Sequence, residues 1–462
     1  MNHLLNMNGR GRSGQCRWFF VLILLFLIPL ATLGGQAGYS GGSGTRDDPY
    51  LIGTVNDLLA LAADPNEWTG HFRLTADIDM AKVPRDTVCM IGDATIPFRG
   101  TFDGAGKRIL HFTCICPERN RVGLFGHIRA INGGVRNLCL VDPNVEGRTG
   151  TSVGALVGHL GTGAVTGCRV EGGRVSGAMA VGGLIGWSYA TIAGCAAQAE
   201  VCGQYSVGGL VGLCAWDAEV RDCVADANVV GISRVGGLAG ACTLAIIQWS
   251  SAKGLVTGSS NVAGLIGCNE GAAIQNCYST TSVQGDSMVG GLVGDNGPSC
   301  DCSVGRFPGV IYNCYSTGRV TGDANTGGLV GFNEADCTVD GCFWDTQTSG
   351  MTRSAEGTGL PTARLQTAST FTQAGWDFSP KTGSADYWVL LPEPQYPTFA
   401  WQILQADPDI HHSGLGQPPL FWEQRSTTFQ TEEVDMSFNE PVDRWDPYIL
   451  CEQKLIDTAY DR

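Results

Sequence analysis

Charge is scarce in this sequence of 462 residues: Asp, Glu, Lys and Arg together make up 16%. Basic residues are the scarcer kind, 29 against 44 acidic ones, so the chain carries a formal charge of −15. Nucleic acid is held largely through Lys and Arg on its phosphates, and an acidic balance argues against it as a partner. Histidine is rare as well: His3, His71, His111, His127, His159, His411 and His412 are all there are. No two of them stand in a His-Glu-X-X-His arrangement, which sets two imidazoles one helical turn apart with a base between them. That excludes metallopeptidase chemistry of this type, and the adjacent pair His411-His412 reads as solvated side chains. The 19 cysteines lack paired C-X-X-C spacing, so a thiolate zinc site has no support. Long apolar runs are limited to Trp18–Leu33, and no other stretch is long enough to cross a bilayer as a helix.

That run follows Arg10, Arg12 and Arg17 and precedes Gly35 and Ala37, small residues at −3 and −1 of a cleavage site before Gly38. This is the layout of a secretory signal peptide over residues 1–37. The expectation is an exported protein, secreted or at the cell surface, with no membrane span once the segment is removed. A retained anchor is the competing reading.

Glycine, by contrast, is abundant, with 66 residues, and 43% of the chain is hydrophobic. Both are regularly placed. Val-Gly-Gly-Leu-Ile-Gly at 181–186 returns, with small changes, at 207–212, 235–240, 262–267 and 289–294, and in looser copies at 122–126, 153–158 and 326–331. The central residues Leu124, Leu156, Leu184, Leu210, Leu238, Leu265, Leu292 and Leu329 recur about every 27 positions. A fixed period of that length marks a solenoid. After each copy the pattern alternates with period 2, as in Cys195, Ala197, Ala199 and Val201 pointing in and Ala196, Gln198 and Glu200 pointing out. The glycines are expected to supply the φ values that corners need. The expected fold is therefore all-β: a parallel β-helix of about eight coils with two or three short strands each, spaced about 4.8 Å apart. A propeller needs about 40 residues per blade, and these units are too short for it.

The expected organisation is a signal peptide at 1–37, an N-terminal cap with the first coils at 38–120, and the repeats at 121–347. A C-terminal cap at 348–402 and an acidic tail at 403–462, mostly flexible, complete it. Within 38–120, Val55–Ala63 reads as a short helix. The tail holds 12 acidic and 4 basic residues and has neither an apolar anchor nor a sortase-type signal. Asn269, Asn296 and Asn333 occupy one repeat position and are expected to stack at a left-handed turn with their amides linked from coil to coil.

The Val-Gly-Gly-Leu-X-Gly copies, with Asn-Cys-Tyr-Ser at 276–279 and 313–316, resemble the bacterial GLUG-motif family. The leader around Gly41–Thr45, Asp48–Ile52 and Ala76–Asp79 resembles the opening segment of such proteins. Phe343–Asp345, Thr367–Ser369 and Gly375–Phe378 resemble their close. The resemblance covers residues 39 to 402. It implies a large secreted or surface protein; such repeats also occur in IgA-specific metallopeptidases and adhesins, and no catalytic residue travels with the repeat.

Candidate sites follow from the outward rows. Tyr278 and Tyr315 offer flat apolar area with a polar tip, suited to stacking on sugar rings. Asp217, Asp222 and Asp226, with Glu219 and Arg221, form the densest charge cluster; paired carboxylates serve glycosidases or hold calcium through oxygen, while a solvated turn is the plainer reading. No row gathers acids on neighbouring coils, so no catalytic residue is assigned. Cys168, Cys195, Cys223, Cys277, Cys314 and Cys342 share one position with Ser250 and Leu138, which reads as small core filler. Cys214 and Cys242 are in step on adjacent coils and are expected to form a strained bridge, and Cys300 and Cys302 to be oxidised. The functional expectation is a non-enzymatic protein that binds a polysaccharide or a cell-surface protein, with no cofactor beyond possible calcium. A carbohydrate-active β-helix enzyme and a structural spacer are the alternatives.

Overall fold

The computed structural model describes residues 38–406, except 86, 88, 298–306, 381–385 and 392–394. It is a parallel β-solenoid of about nine turns. One full coil shows how the repeat folds. Ile185–Ser188 and Thr191–Ala193 lie in one sheet, and Ala196–Cys202 and Tyr205–Gly208 lie in the other. A coil thus has four strands where two or three are expected, because its corners fall at four places rather than three. Each strand pairs in parallel with its equivalent one coil later, as in Ile185 with Val211 and Val211 with Ala239.

The eight repeat leucines are all 0% exposed and stack along the interior. Each contributes about 1.5–3 kcal/mol of burial, but only when the neighbouring coil is in place. The second glycine of the motif is fixed by crowding, not by φ. A Cβ on Gly183 would lie 2.2 Å from the carbonyl oxygen of Gly209, and the same holds from Gly209 to Gly237 and from Gly237 to Gly264. The left-handed corner instead falls on the residue before each motif valine, or before Thr326 in the last copy: Arg121, Ser152, Ala180, Ser206, Arg234, Asn261, Met288 and Asn325 all have φ between 48° and 62°.

The asparagine row links as expected. Asn269 Nδ2 donates to Asn296 Oδ1 at 2.8 Å, and Asn296 Nδ2 to Asn333 Oδ1 at 2.6 Å. These residues lie at or next to strand ends, however, and are not left-handed; at the corner before the cysteine row, Asn137, Asn276 and Asn313 are. There each thiol donates to the carbonyl two residues back, as Cys277 Sγ does to Gln275 O at 3.1 Å. Ser250 Oγ does the same to Gln248 O at 2.9 Å and accepts from Cys223 N at 3.2 Å.

The leader builds the first turns. His71–Leu74 and Thr101–Asp103 pair in parallel with each other and onward to Phe125–Arg136. The helix Val55–Ala63 has a Thr54–Asp57 capping box and buries Leu58 and Leu61 against the first turn. At the other end Thr358–Leu360 pairs with Phe343–Asp345 and closes the last coil. The chain then turns back along the side of the solenoid. Trp388–Val389 and Thr398–Phe399 form an antiparallel pair, and with Phe371, Trp376 and Trp401 they make an aromatic strap over the outward row of the second sheet.

Candidate functional site

The outward row that begins each post-cysteine strand has the register read from the sequence: Arg169, Ala196, Val224, Ser251, Tyr278 and Tyr315 stand in line. Tyr278 and Tyr315 stack with centroids 5.1 Å apart and planes 6° off parallel. They do not form an open platform. Tyr315 is 2% exposed and donates its hydroxyl to Pro397 O at 2.6 Å, and Tyr278 donates to Gln402 Oε1 at 2.8 Å. Burial raises the Tyr315 phenol well above its ordinary pKa. The strap, not a sugar, occupies these two rings.

The three aspartates are dispersed. Asp217 is exposed on a turn, at φ 64°. Asp222 sits at a left-handed corner, 3.3 Å from Arg221 Nη1, whose Nε is 3.2 Å from Glu219. Asp226 is on the second sheet, paired with Lys253 at 3.0 Å and accepting from Gln198 at 3.3 Å. Each of these last two carboxylates is neutralised by a neighbouring cation, so they make no acid–base pair. Among the described residues no group of three or more His, Cys, Asp or Glu is placed to hold a metal ion.

Cys214 and Cys242 are in register, fully buried and free, so the expected bridge is not formed. Parallel in-register strands aim both Cβ vectors the same way, leaving the sulfurs side by side instead of facing. Cys300 and Cys302 lie outside the described residues, as do the signal segment, the His411-His412 pair and nearly all of the acidic tail.

A depression lies elsewhere, on the first sheet. A groove of about 1040 Å³ runs across its strands from the leader to Arg221. Its floor is the outward row Arg73, Asp103, Arg136, Thr166, Ala193 and Arg221, one residue per successive strand. Beside it run His71, Thr101, Gly134 and Ala164, with His71 Nδ1 2.6 Å from Thr101 Oγ1. Arg46 and Ile131 stand on the rim and Trp401 of the strap forms part of the wall. Burial raises the Asp103 carboxyl, but the Ala105 amide and the Arg136 guanidinium, 3.0 Å away, outweigh it and hold the group below the usual range.

Sequence reasoning missed this row because it followed only the strand after the cysteine. The signal was present: the residue after Phe72, Phe102, Val135, Val165, Ile192 and Val220, each inward, must point out. Its use needed the register of the leader, which shares no motif with the repeats.

The chain carries the GLUG motif: residues 258–284 match the family model of that description. Halomucin of Haloquadratum walsbyi is 32% identical over 182 residues, which are 39% of this chain and 2% of that protein. A protein of Evansella cellulosilytica, provisionally named a Gly-rich membrane protein, is 36% identical over 148 residues, 30% of this chain and 17% of that one. The chain thus spans a small fraction of the length of these relatives. A Bacteroides ovatus crystal structure, provisionally named an immunoglobulin A1 protease, aligns over 79% of this chain and 95% of its own at 20% identity, with a TM-score of 0.41. No helix among the described residues is long and apolar enough to cross a membrane.

Proposed function

We propose that this protein works outside the cell or at its surface as a non-enzymatic β-solenoid that binds a polysaccharide laid along the groove of its first sheet. The groove itself carries the reading: it follows the solenoid axis over successive coils, so a chain polymer meets equivalent positions again and again. Coils rise by about 4.8 Å, close to the length of a pyranose unit. Many weak contacts then add through avidity without any one group being decisive. The names of the relatives, halomucin and a Gly-rich membrane protein, favour a place at the cell surface. Turnover would need positioned acids and bases, and of the groove carboxylates Asp47, Asp103 and Asp222 the last two are engaged by arginines.

The test is co-sedimentation of the full chain with insoluble polysaccharides, with and without calcium, followed by assay for new reducing ends or unsaturated products. Retention without products is expected. Products that disappear in Asp103→Asn or Asp222→Asn would replace this reading with an enzyme, and no retention on any polymer would leave the solenoid as a spacer.

A further inference from the structure

We infer that the groove takes a polyanionic polysaccharide, one bearing uronate carboxylates or sulfates, and that Arg46 and Arg73 at its leader end receive the charge. The inference rests on the groove being the binding face and goes on to name the chemistry of what lies in it. The four arginines of the groove are not equivalent. Arg136 is paired with Asp103, and Arg221 with Glu219 and Asp222. Arg73 stands next to Asp103 in the row, but that carboxylate is already engaged. It accepts from the Ala105 amide at 2.9 Å, from Arg136 at 3.0 Å and from Asn137 at 3.4 Å. On the other side of Arg73 lies Leu51, which offers no charge. Arg73 and Arg46 therefore make no ion pair among the described residues, and both are exposed in the groove.

Arg46 and Arg73 are set apart from the other exposed arginines without an ion pair by opening into one groove, which Asp47 also lines. The planar fork of arginine matches carboxylate and sulfate oxygens in pairs. The general field of the molecule repels polyanions, so an anionic polymer that binds must do so at this local site and not by bulk attraction.

A separate observation comes from the opposite end. Trp401 is 4% exposed, lines the groove together with Arg221, and its indole N–H has no acceptor among the described residues. Buried donors are nearly always paired, and a ligand oxygen seated against this wall would complete the pair.

The experiment measures binding of the full chain to immobilised polygalacturonate, a sulfated glycosaminoglycan and neutral dextran, at low and moderate salt. The anionic polymers should bind at least about tenfold more tightly than dextran, and salt should weaken that binding. Arg46→Gln and Arg73→Gln should each weaken it about tenfold. Trp401→Phe, which keeps the ring and removes the donor, should weaken it by a smaller factor. Arg148→Gln on the second sheet removes the same charge outside the groove and should change nothing. Unchanged melting of the exposed arginine variants keeps a loss of binding from being a loss of fold. Dextran bound as well as the polyanions, with no effect of Arg46→Gln or Arg73→Gln, would overturn the inference and leave the groove reading intact. Equal losses in Arg148→Gln would also overturn it, because bulk charge would then be the cause. If the unaltered chain retained none of the three polymers, both readings would fall.

Discussion

Cys277 bonds to the backbone of the corner beside it and to the next coil. Its Sγ donates to Gln275 O at 3.1 Å, and its amide donates to Cys314 Sγ at 3.3 Å in the next coil. Size alone therefore does not define this position, because Ser250 reproduces the same bonds with a hydroxyl. Cys277→Ser should leave stability within about 1 kcal/mol of the original, whereas Cys277→Ala should cost about 1–3 kcal/mol by taking the thiol from the Gln275 carbonyl and leaving its buried space empty. Urea midpoints compare the two; an alanine as good as serine would return the row to simple filling. The sequence showed that Cys and Ser exchange here but not why, since the reason lies in backbone atoms two residues and one coil away. Leu138, in the same row, fills the space without the bonds and marks the first turns, where a larger residue is accommodated.

The aromatic strap shows where local pattern stops being informative. Phe371, Trp376, Trp388, Phe399 and Trp401 announce a packed element by composition, but nothing in their spacing says which face of the solenoid they cover. That is decided by the row Tyr278, Tyr315 and Phe343, whose rings form a large apolar strip on the outside of the second sheet. Alternation assigned those tyrosines outward correctly. What period 2 cannot tell is whether the outside is water or another part of the chain, so a surface for sugar became a seat for the strap. One ionisable group ties the strap down: Asp345, 0% exposed, accepts from Tyr396 Oη at 2.6 Å and from the Gln347 amide at 2.8 Å. Burial raises its carboxyl, but these bonds win and hold it below the ordinary value. A lowered carboxylate lends stability above the unfolded pKa of about 4 and loses it as pH falls through the folded value. Strap docking should accordingly weaken below about pH 4, seen as a red shift in the emission of the buried tryptophans. Asp345→Asn should flatten that pH dependence, and Tyr396→Phe should cost about 1.5–3 kcal/mol at neutral pH. An acid transition identical in Asp345→Asn would place its origin elsewhere.

Over the whole molecule, stability is a sum of coil-to-coil interfaces, because a coil contacts only the coil before and after it within the stack. The repeat leucines make this severe: Leu238 is 0% exposed and lies between Leu210 and Leu265, its own amide bonding to Leu265 O at 2.9 Å. Leu238→Asp places a carboxylate in an apolar column without a partner, a cost of several kcal/mol even if the group takes up a proton. The damage should spread to both neighbours, since each loses the surface against which its own leucine is buried. Thr280→Asp puts the same charge on an exposed position of the second sheet and should change stability by less than about 0.5 kcal/mol. Amide hydrogen exchange separates the two outcomes along the chain. Leu238→Asp should lose protection over the coils around 207–267 first, and last at the leader, where the helix Val55–Ala63 covers the end of the stack. Uniform loss along all coils at once would mean that the solenoid unfolds as a single cooperative unit, with interfaces strong enough to pull the leader down with the centre. No loss beyond residue 238 itself would mean that the inward column does not carry the fold.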